Sequence, residues 1–333
     1  MTVFRIVLGV LLLLSAALYF VIRYFYRFAM VRRPDSHTDW WTADPDTLPG
    51  PEKQYGPPHL REHIYSRKRW LIAEYARCGR QYSITSEDGL RLIAHYIPSA
   101  VQMRGVFLMV HGYRSCGFND FCGAVYNMTR DGFGCLVLDQ RAHGMSEGDT
   151  ICFGVKERWD VRDWARLLER EFPGMPVILD GVSMGAATVM AAAAAELPPN
   201  VRGIVADCGY TSMREIFNKV IRQWFHLPPF PLVPLADAYC RIKNGFGFDE
   251  VNSAVCLAEA RVPVLLAHGR ADDFVPHSMA VQIYEAVKDK IDIEFVSVEG
   301  AEHGLSYLID YDAYYAALCR LYAKIEASRE ETA

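Results

Sequence analysis

The segment Gly181-Val182-Ser183-Met184-Gly185 constrains this chain more than any other stretch. It follows the apolar run Val177-Ile178-Leu179 and leads through Ala186-Ala187-Thr188-Val189-Met190 into five alanines. A strand that enters a tight turn and leaves as a helix is the setting a G-x-S-x-G elbow requires. The serine sits in a strained turn with its hydroxyl projecting, and a glycine two residues to either side lets backbone segments approach closely. The helix start then aims N–H groups and its positive end at a developing oxyanion. Five residues match by chance in many chains, so the rest of the sequence has to supply the partners such a serine needs.

The chain has 333 residues, 51% hydrophobic and 23% charged, enough apolar material for one large or two ordinary cores and unlike a disordered composition. Residues 1–33 hold five arginines and no acid, so a total charge of −5 leaves the rest at −10. A body that acidic excludes nucleic acid as a partner, because phosphate contacts need clustered Lys and Arg. The nine cysteines are scattered with no C-x-x-C pair and no zinc-finger spacing with His. They read as thiols in a reducing compartment, most of them small buried hydrophobes.

Residues 6–22 carry no charge and are rich in Leu, Val and Ala, at the short end for a membrane span. Tyr19, Phe20, Tyr24, Phe25 and Tyr26 extend the run as an interfacial belt. A cleaved signal peptide with Ser15-Ala16-Ala17 at its cleavage site is the rival, but Leu18 to Phe28 stay apolar and aromatic, which favours an uncleaved anchor over residues 1–30. Four arginines follow the span and only Arg5 precedes it, so the positive-inside rule puts the body in the cytoplasm of a single-pass protein of the cell membrane.

Residues 31–60 hold six prolines and Trp40-Trp41, with no helical or strand period, and read as a linker that packs on the body or the membrane surface. Residues 61–333 form the main domain. Helical character at 59–77 is followed by predicted strands at 81–86, 91–97, 105–110, 134–139, 177–180, 202–206, 262–268 and 293–298. Helices are predicted at 120–131, 157–171, 184–196, 278–288 and 307–327. Continuous apolar runs such as Val106-Phe107-Leu108-Met109-Val110 suit central strands covered on both faces. The expectation is an α/β fold with a mostly parallel central sheet, helices on both faces and a short antiparallel start. Residues 211–258 interrupt the rhythm, and with Trp224, Phe225 and Phe230 they are expected to form an inserted cap over the carboxyl edge of the sheet.

A nucleophilic serine needs a base, and the base needs an acid that fixes its tautomer. After such an elbow the chain order is Ser, Asp or Glu, then His. Ser183 is followed by His268-Gly269-Arg270-Ala271-Asp272-Asp273-Phe274-Val275-Pro276 and then by Glu302-His303-Gly304, both in loops leaving predicted strands. The N–H of Met184, directly after the nucleophile, is the first oxyanion donor. The second belongs to the loop after the strand at 105–110.

These segments, with His111-Gly112-Tyr113-Arg114-Ser115, Asp139-Gln140-Arg141-Ala142-His143-Gly144-Met145-Ser146 and Asp207-Cys208-Gly209-Tyr210-Thr211-Ser212, give the chain a clear resemblance over residues 80–325. It resembles the α/β-hydrolase superfamily, and within it the bacterial membrane-anchored Bem46-like and serine aminopeptidase-like (S33-type) branch. The resemblance implies Asp272 as the acid, ahead of Asp273, with Asp207 as the competing candidate. It also implies Tyr113 as the second oxyanion donor. Ala142 replaces a glycine of the family's Arg-Gly-His-Gly run, which alters a turn and leaves the triad untouched.

The remaining candidates have structural readings. His111 and His268 each precede a glycine at a strand end and are expected to bond backbone. His143 is expected beside an Asp139–Arg141 network. Histidines 37, 59, 63, 95, 226 and 277 show no ligand spacing, so no metal or cofactor is expected. Cys208 reads as a buried thiol beside a site whose nucleophile is Ser183, and the late tyrosines read as the packing face of a final helix. The expected activity is therefore acyl transfer to water, on a small-molecule or lipidic ester or thioester. The alternatives are an aminopeptidase-type peptidase, in which Glu215, Asp237, Asp249 and Glu250 grip an ammonium group, and a catalytically silent membrane-tethered binding protein.

Overall fold

A computed structural model of the chain describes residues 2–33 and 39–330. Met1 of the expected anchor, residues 34–38 of the expected linker (Pro34 and His37 among them) and 331–333 lie outside the described residues.

Eight strands form one sheet. They are β1 (Arg80–Thr85), β2 (Arg91–Ile97), β3 (Gly105–Val110), β4 (Phe133–Asp139), β5 (Val177–Val182), β6 (Val201–Asp207), β7 (Val264–Gly269) and β8 (Ile293–Val298), in the spatial order β1-β2-β4-β3-β5-β6-β7-β8. The β1–β2 and β2–β4 pairings are antiparallel and every other pairing is parallel. The α/β class and the antiparallel start are as the sequence led one to expect.

Strand periodicity sorts the core onto two faces. Val106, Leu108 and Val110 of β3 join a cluster with Val161, Trp164 and Leu168 of α4 (Glu157–Glu171), Val189 of α5 (Met184–Ala192) and Ile283 of α9 (His277–Val287). Phe107 and Met109 point the other way. They meet Leu71 of α2 (Pro58–Cys78), Phe118 and Phe121 of α3 (Gly117–Arg130) and Leu318 and Leu321 of α11 (Tyr311–Glu330). The sequence predicted one helix over 307–327. The chain instead makes a turn of helix at Ser306–Ile309 (α10), breaks at Asp310 and restarts.

Residues 213–257 carry three helices, α6 (Met213–Trp224), α7 (Pro229–Asn244) and α8 (Ser253–Leu257). Ser212 caps α6 by accepting from Glu215 N, and Gly245, at φ 78°, ends α7 in the left-handed conformation that glycine adopts without a Cβ clash. Arg214 of α6 bonds Asp237 on α7 and Asp249 beyond it, tying the excursion into one unit.

The N-terminal helix α1 (Thr2–Met30) is apolar and long enough to cross a membrane, and its first two-thirds is largely exposed. Its last three turns are built into the domain. Ile22, Tyr26 and Met30 are buried, Tyr26 stacks edge-on against Tyr239 of α7 and donates to Asn244 Oδ1 at 2.9 Å, and Phe25 and Phe28 meet Phe225 at 4.9 and 5.5 Å. The helix's terminal carbonyls, which lack intrahelical donors, are taken up by the body. Tyr113 Oη donates to Ala29 O at 2.8 Å, and the Arg114 guanidinium donates to Phe28 O and Val31 O. The following segment packs back through Trp41, which is buried against Tyr75, His95 and Phe118.

Candidate active site

Strand β5 runs three residues further than its apolar run, to Val182, because it stays paired with β6 as far as Asp207. Ser183 then turns the chain with φ 57° and ψ −115°, left-handed backbone that costs an L residue roughly 1–2 kcal/mol. The flanking glycines are dictated by contact. A Cβ on Gly181 would lie 2.3 Å from Gly185 O, and one on Gly185 would lie 1.8 Å from Val110 O. The elbow is thus wedged against the end of β3.

The loops after β7 and β8 bring the partners. His303 Nε2 is 2.9 Å from Ser183 Oγ, and His303 Nδ1 is 2.7 Å from Asp272 Oδ2. A carboxylate on Nδ1 fixes the proton there and leaves the Nε2 lone pair facing the hydroxyl. Asp272 is itself held. Its Oδ1 accepts from Phe274 N at 2.9 Å and Val275 N at 2.8 Å. Burial alone would raise its pKa, but hydrogen bonds from His268 and His303 outweigh burial and keep it well below the usual carboxylate range.

Asp207, the competing acid, is turned elsewhere. It accepts from Ser306 Oγ at 2.8 Å, and burial raises its pKa. Asp273 offers its backbone carbonyl to Lys219 of α6. Beneath the elbow, burial and then the charge of Asp207 push Asp180 up to about 8.

Met184 starts α5, and Tyr113 lies in the loop after β3. Among the described residues neither N–H is occupied by a hydrogen bond, and the two flank Ser183. Asp120 on α3 holds the Tyr113 loop by accepting from Gly112 N at 2.7 Å and Ser115 Oγ at 2.5 Å. Sequence reasoning passed over Asp120, whose signal is only its place in the first turn of α3. It also assigned His268 to backbone alone. His268 Nε2 is 2.8 Å from Val275 O, as expected, but also 3.2 Å from Asp272 Oδ2, so it shares in orienting the acid.

The network expected between Asp139 and Arg141 does not form. Arg141 binds Asp160 and Asp88, whereas Asp139 accepts from Met145 N and faces His95 Nε2 at 3.4 Å. Asp139 ends β4 and Arg141 sits in the turn that His143 N closes on Gln140 O, and each side chain takes its own partners. Ala142 forms its turn at φ 62°, and the Cβ a glycine would lack is accommodated in left-handed backbone. His111 and His143 bond backbone: His111 engages Gly112 O and Gln140 N, and His143 engages Arg141 O and Arg114 N.

Cys208 Sγ, Asp272 and His303 present donor atoms within 4.8 Å of one another, one group among the described residues that could approach a metal ion. Burial raises the Cys208 thiol far above its ordinary value, and His303 and Asp272 are already bonded to each other, so this set suits proton transfer better than ligation.

Two cavities meet at Ser183. One, of about 560 Å3, is lined by His303, Gly304 and Asp120 and also by Lys53, Arg67 and Lys68. The other, of about 90 Å3, is almost wholly apolar and lies between the elbow, the 213–257 excursion and α1.

Residues 105–232 match the family model described as the alpha/beta hydrolase fold, a span that includes Ser183 and ends before Asp272 and His303. The chain is 30% identical to YqkD of Bacillus subtilis over 55% of its own length and 60% of that relative, so it spans less than two-thirds of YqkD. It is 26% identical to human monoglyceride lipase, over 67% of this chain and 82% of that one. Among solved structures, an esterase of Pyrococcus furiosus superposes with a TM-score of 0.60 at 20% identity, covering 73% of this chain and 90% of that one.

Proposed function

We propose, from the premise that the chain belongs to the α/β-hydrolase superfamily, that it is a serine hydrolase cleaving acyl esters or thioesters through Ser183, His303 and Asp272. The observation that carries this reading is the unbroken line of hydrogen bonds from Asp272 through His303 to Ser183 Oγ, at 2.7 and 2.9 Å.

In the reaction, His303 Nε2 takes the Ser183 proton as Oγ attacks the carbonyl carbon. Asp272 holds the imidazolium that forms. The N–H groups of Met184 and Tyr113 take the oxyanion, each such donor being worth roughly 3–4 kcal/mol in the transition state. His303 then gives its proton to the departing oxygen or sulfur. A water activated by the same imidazole cleaves the acyl-enzyme, releasing the acid and restoring Ser183.

The apolar cavity at Ser183 and the apolar α1 favour an acyl substrate with lipidic character. A relative named monoglyceride lipase agrees with that chemistry. We read α1 as a membrane anchor with the hydrolase domain on the cytoplasmic side and 211–258 as the cap. The peptidase alternative weakens at its proposed ammonium site, since Asp237 and Asp249 are both taken by Arg214. A silent binding protein has no use for an intact Ser–His–Asp line.

Labelling with a fluorophosphonate tests the reading. Wild type should be labelled and Ser183→Ala should not. A hydrolysis panel of p-nitrophenyl esters beside aminoacyl-nitroanilides then separates esterase from peptidase, and turnover of the nitroanilides alone would reverse the choice.

A further inference from the structure

Ser183 faces both cavities, and the chemistry decides which half of an ester enters each. The leaving group has to be reached by its proton donor, and His303 and Gly304 line only the larger, mixed cavity. That cavity therefore receives the alcohol or thiol half. The acyl half is left to the smaller cavity, beside the oxyanion donors Met184 and Tyr113. One wall of that smaller cavity is not part of the sheet or the cap. Phe25, Phe28 and Ala29 of α1 supply it, opposite Phe217 and Phe225 of the excursion.

Two further observations place this wall at a lipid surface. The roughly twenty residues of α1 before the wall rise about 30 Å at 1.5 Å each, the thickness of a bilayer's hydrocarbon core. Arg23 and Arg27, beside the wall, are exposed where headgroups would lie. In addition α7, packed on α1 through Tyr239, carries Phe230 and Ile242 exposed at 77% and 87%. Large apolar side chains so exposed beside an apolar helix suit contact with lipid.

We propose that the last turns of α1 are the wall of the acyl site, so that Phe25, Phe28 and Ala29 set which acyl chains Ser183 accepts from the membrane. The proposal rests on the ester-hydrolase reading above and adds that the helix selects substrate as well as tethering the domain. The cavity is narrow and almost wholly apolar, so a change of side chain on this wall alters which acyl chains fit.

The test uses full-length protein in phospholipid nanodiscs and p-nitrophenyl esters from acetyl to dodecanoyl. Fluorophosphonate labelling of Ser183 is measured on every variant. Ala29→Trp fills the cavity and should cut kcat/KM for octanoyl and longer esters by about tenfold or more, with the acetyl ester within about threefold, since a methylene or two in such a pocket is worth 10–200-fold. Phe25→Ala and Phe28→Ala enlarge it and should move the preference towards longer chains. Phe20→Ala, on the exposed part of α1, should leave the profile unchanged. If Ala29→Trp loses labelling, the two enlarging variants decide. The proposal is overturned if the α1 variants label like wild type and keep the wild-type chain-length profile. Failure of wild type itself to label would instead overturn the hydrolase reading, and this proposal with it.

Discussion

The phenol of Tyr113 donates a hydrogen bond to the carbonyl of Ala29 at 2.8 Å, joining the loop proposed to offer the second oxyanion donor to the end of the N-terminal helix. The backbone and side chain of one residue thus face two tasks. Tyr113→Phe keeps the N–H and removes the tie. Its kcat on a soluble ester should fall by about threefold to tenfold with KM little changed, the kinetic equivalent of one hydrogen bond of about 1 kcal/mol. Steady-state kinetics on both proteins checks this, and an unaltered kcat would mean the loop is set without α1.

The acid is decided by which carboxylate touches His303. Asp272→Asn should lower kcat by about ten-thousandfold, because the amide leaves His303 in the wrong tautomer. Asp207→Asn should cost less than about tenfold, as it loses only the Ser306 contact. The reverse order of the two would move the acid to β6.

Asp272 and Asp180 predict opposite responses to pH. The folded pKa of Asp272 is depressed, so its charge stabilises the fold above the unfolded value of about 4 and that contribution is lost as pH falls further. Asp180 is the reverse. Raised to about 8, it keeps its proton in the fold after the unfolded chain has released it, so stability falls between about pH 4 and about 8. Asp180→Asn should therefore gain stability over wild type as pH rises through that window, by more than about 1.4 kcal/mol at pH 8.5, one pKa unit's worth. Thermal unfolding at pH 5 and pH 8.5 measures the difference, and an equal gain at both would refute it.

The elbow glycines predict a steric effect with no tolerance. Gly185→Ala places a methyl 1.8 Å from Val110 O, where the start of α5 is packed against the end of β3, and should cost more than about 3 kcal/mol or abolish soluble expression. Gly300→Ala meets no atom within 4 Å and pays only for its φ of 70°, roughly 1–2 kcal/mol. Urea midpoints of the two variants should be ordered accordingly.

Much of this was legible in the sequence because it is local. Continuous apolar runs marked β3, β5 and β7 as interior strands, and the Ser, Asp, His order followed the loops that leave β5, β7 and β8. What was not legible depends on direction. Asp139 and Arg141 are two residues apart, and spacing alone joined them, but the turn after β4 sends Arg141 to Asp160. Asp120 supports the Tyr113 loop through contacts that no period in α3 announces. The apolar stretch at 6–22 was plain as a span, yet the buried positions Tyr26 and Met30 find their partners more than a hundred residues away, which a local pattern does not encode.

The seating of Phe25, Phe28 and Ala29 against the body bears on how the protein is prepared. Trimming residues 1–30 for easier purification would strip one side from the cavity at Ser183, take the Ala29 carbonyl from the Tyr113 phenol and the Phe28 carbonyl from Arg114, and bare Phe225 to water. Such a shortened form would present Ser183 with a different cavity, and a substrate screen run on it would search the wrong chemical space.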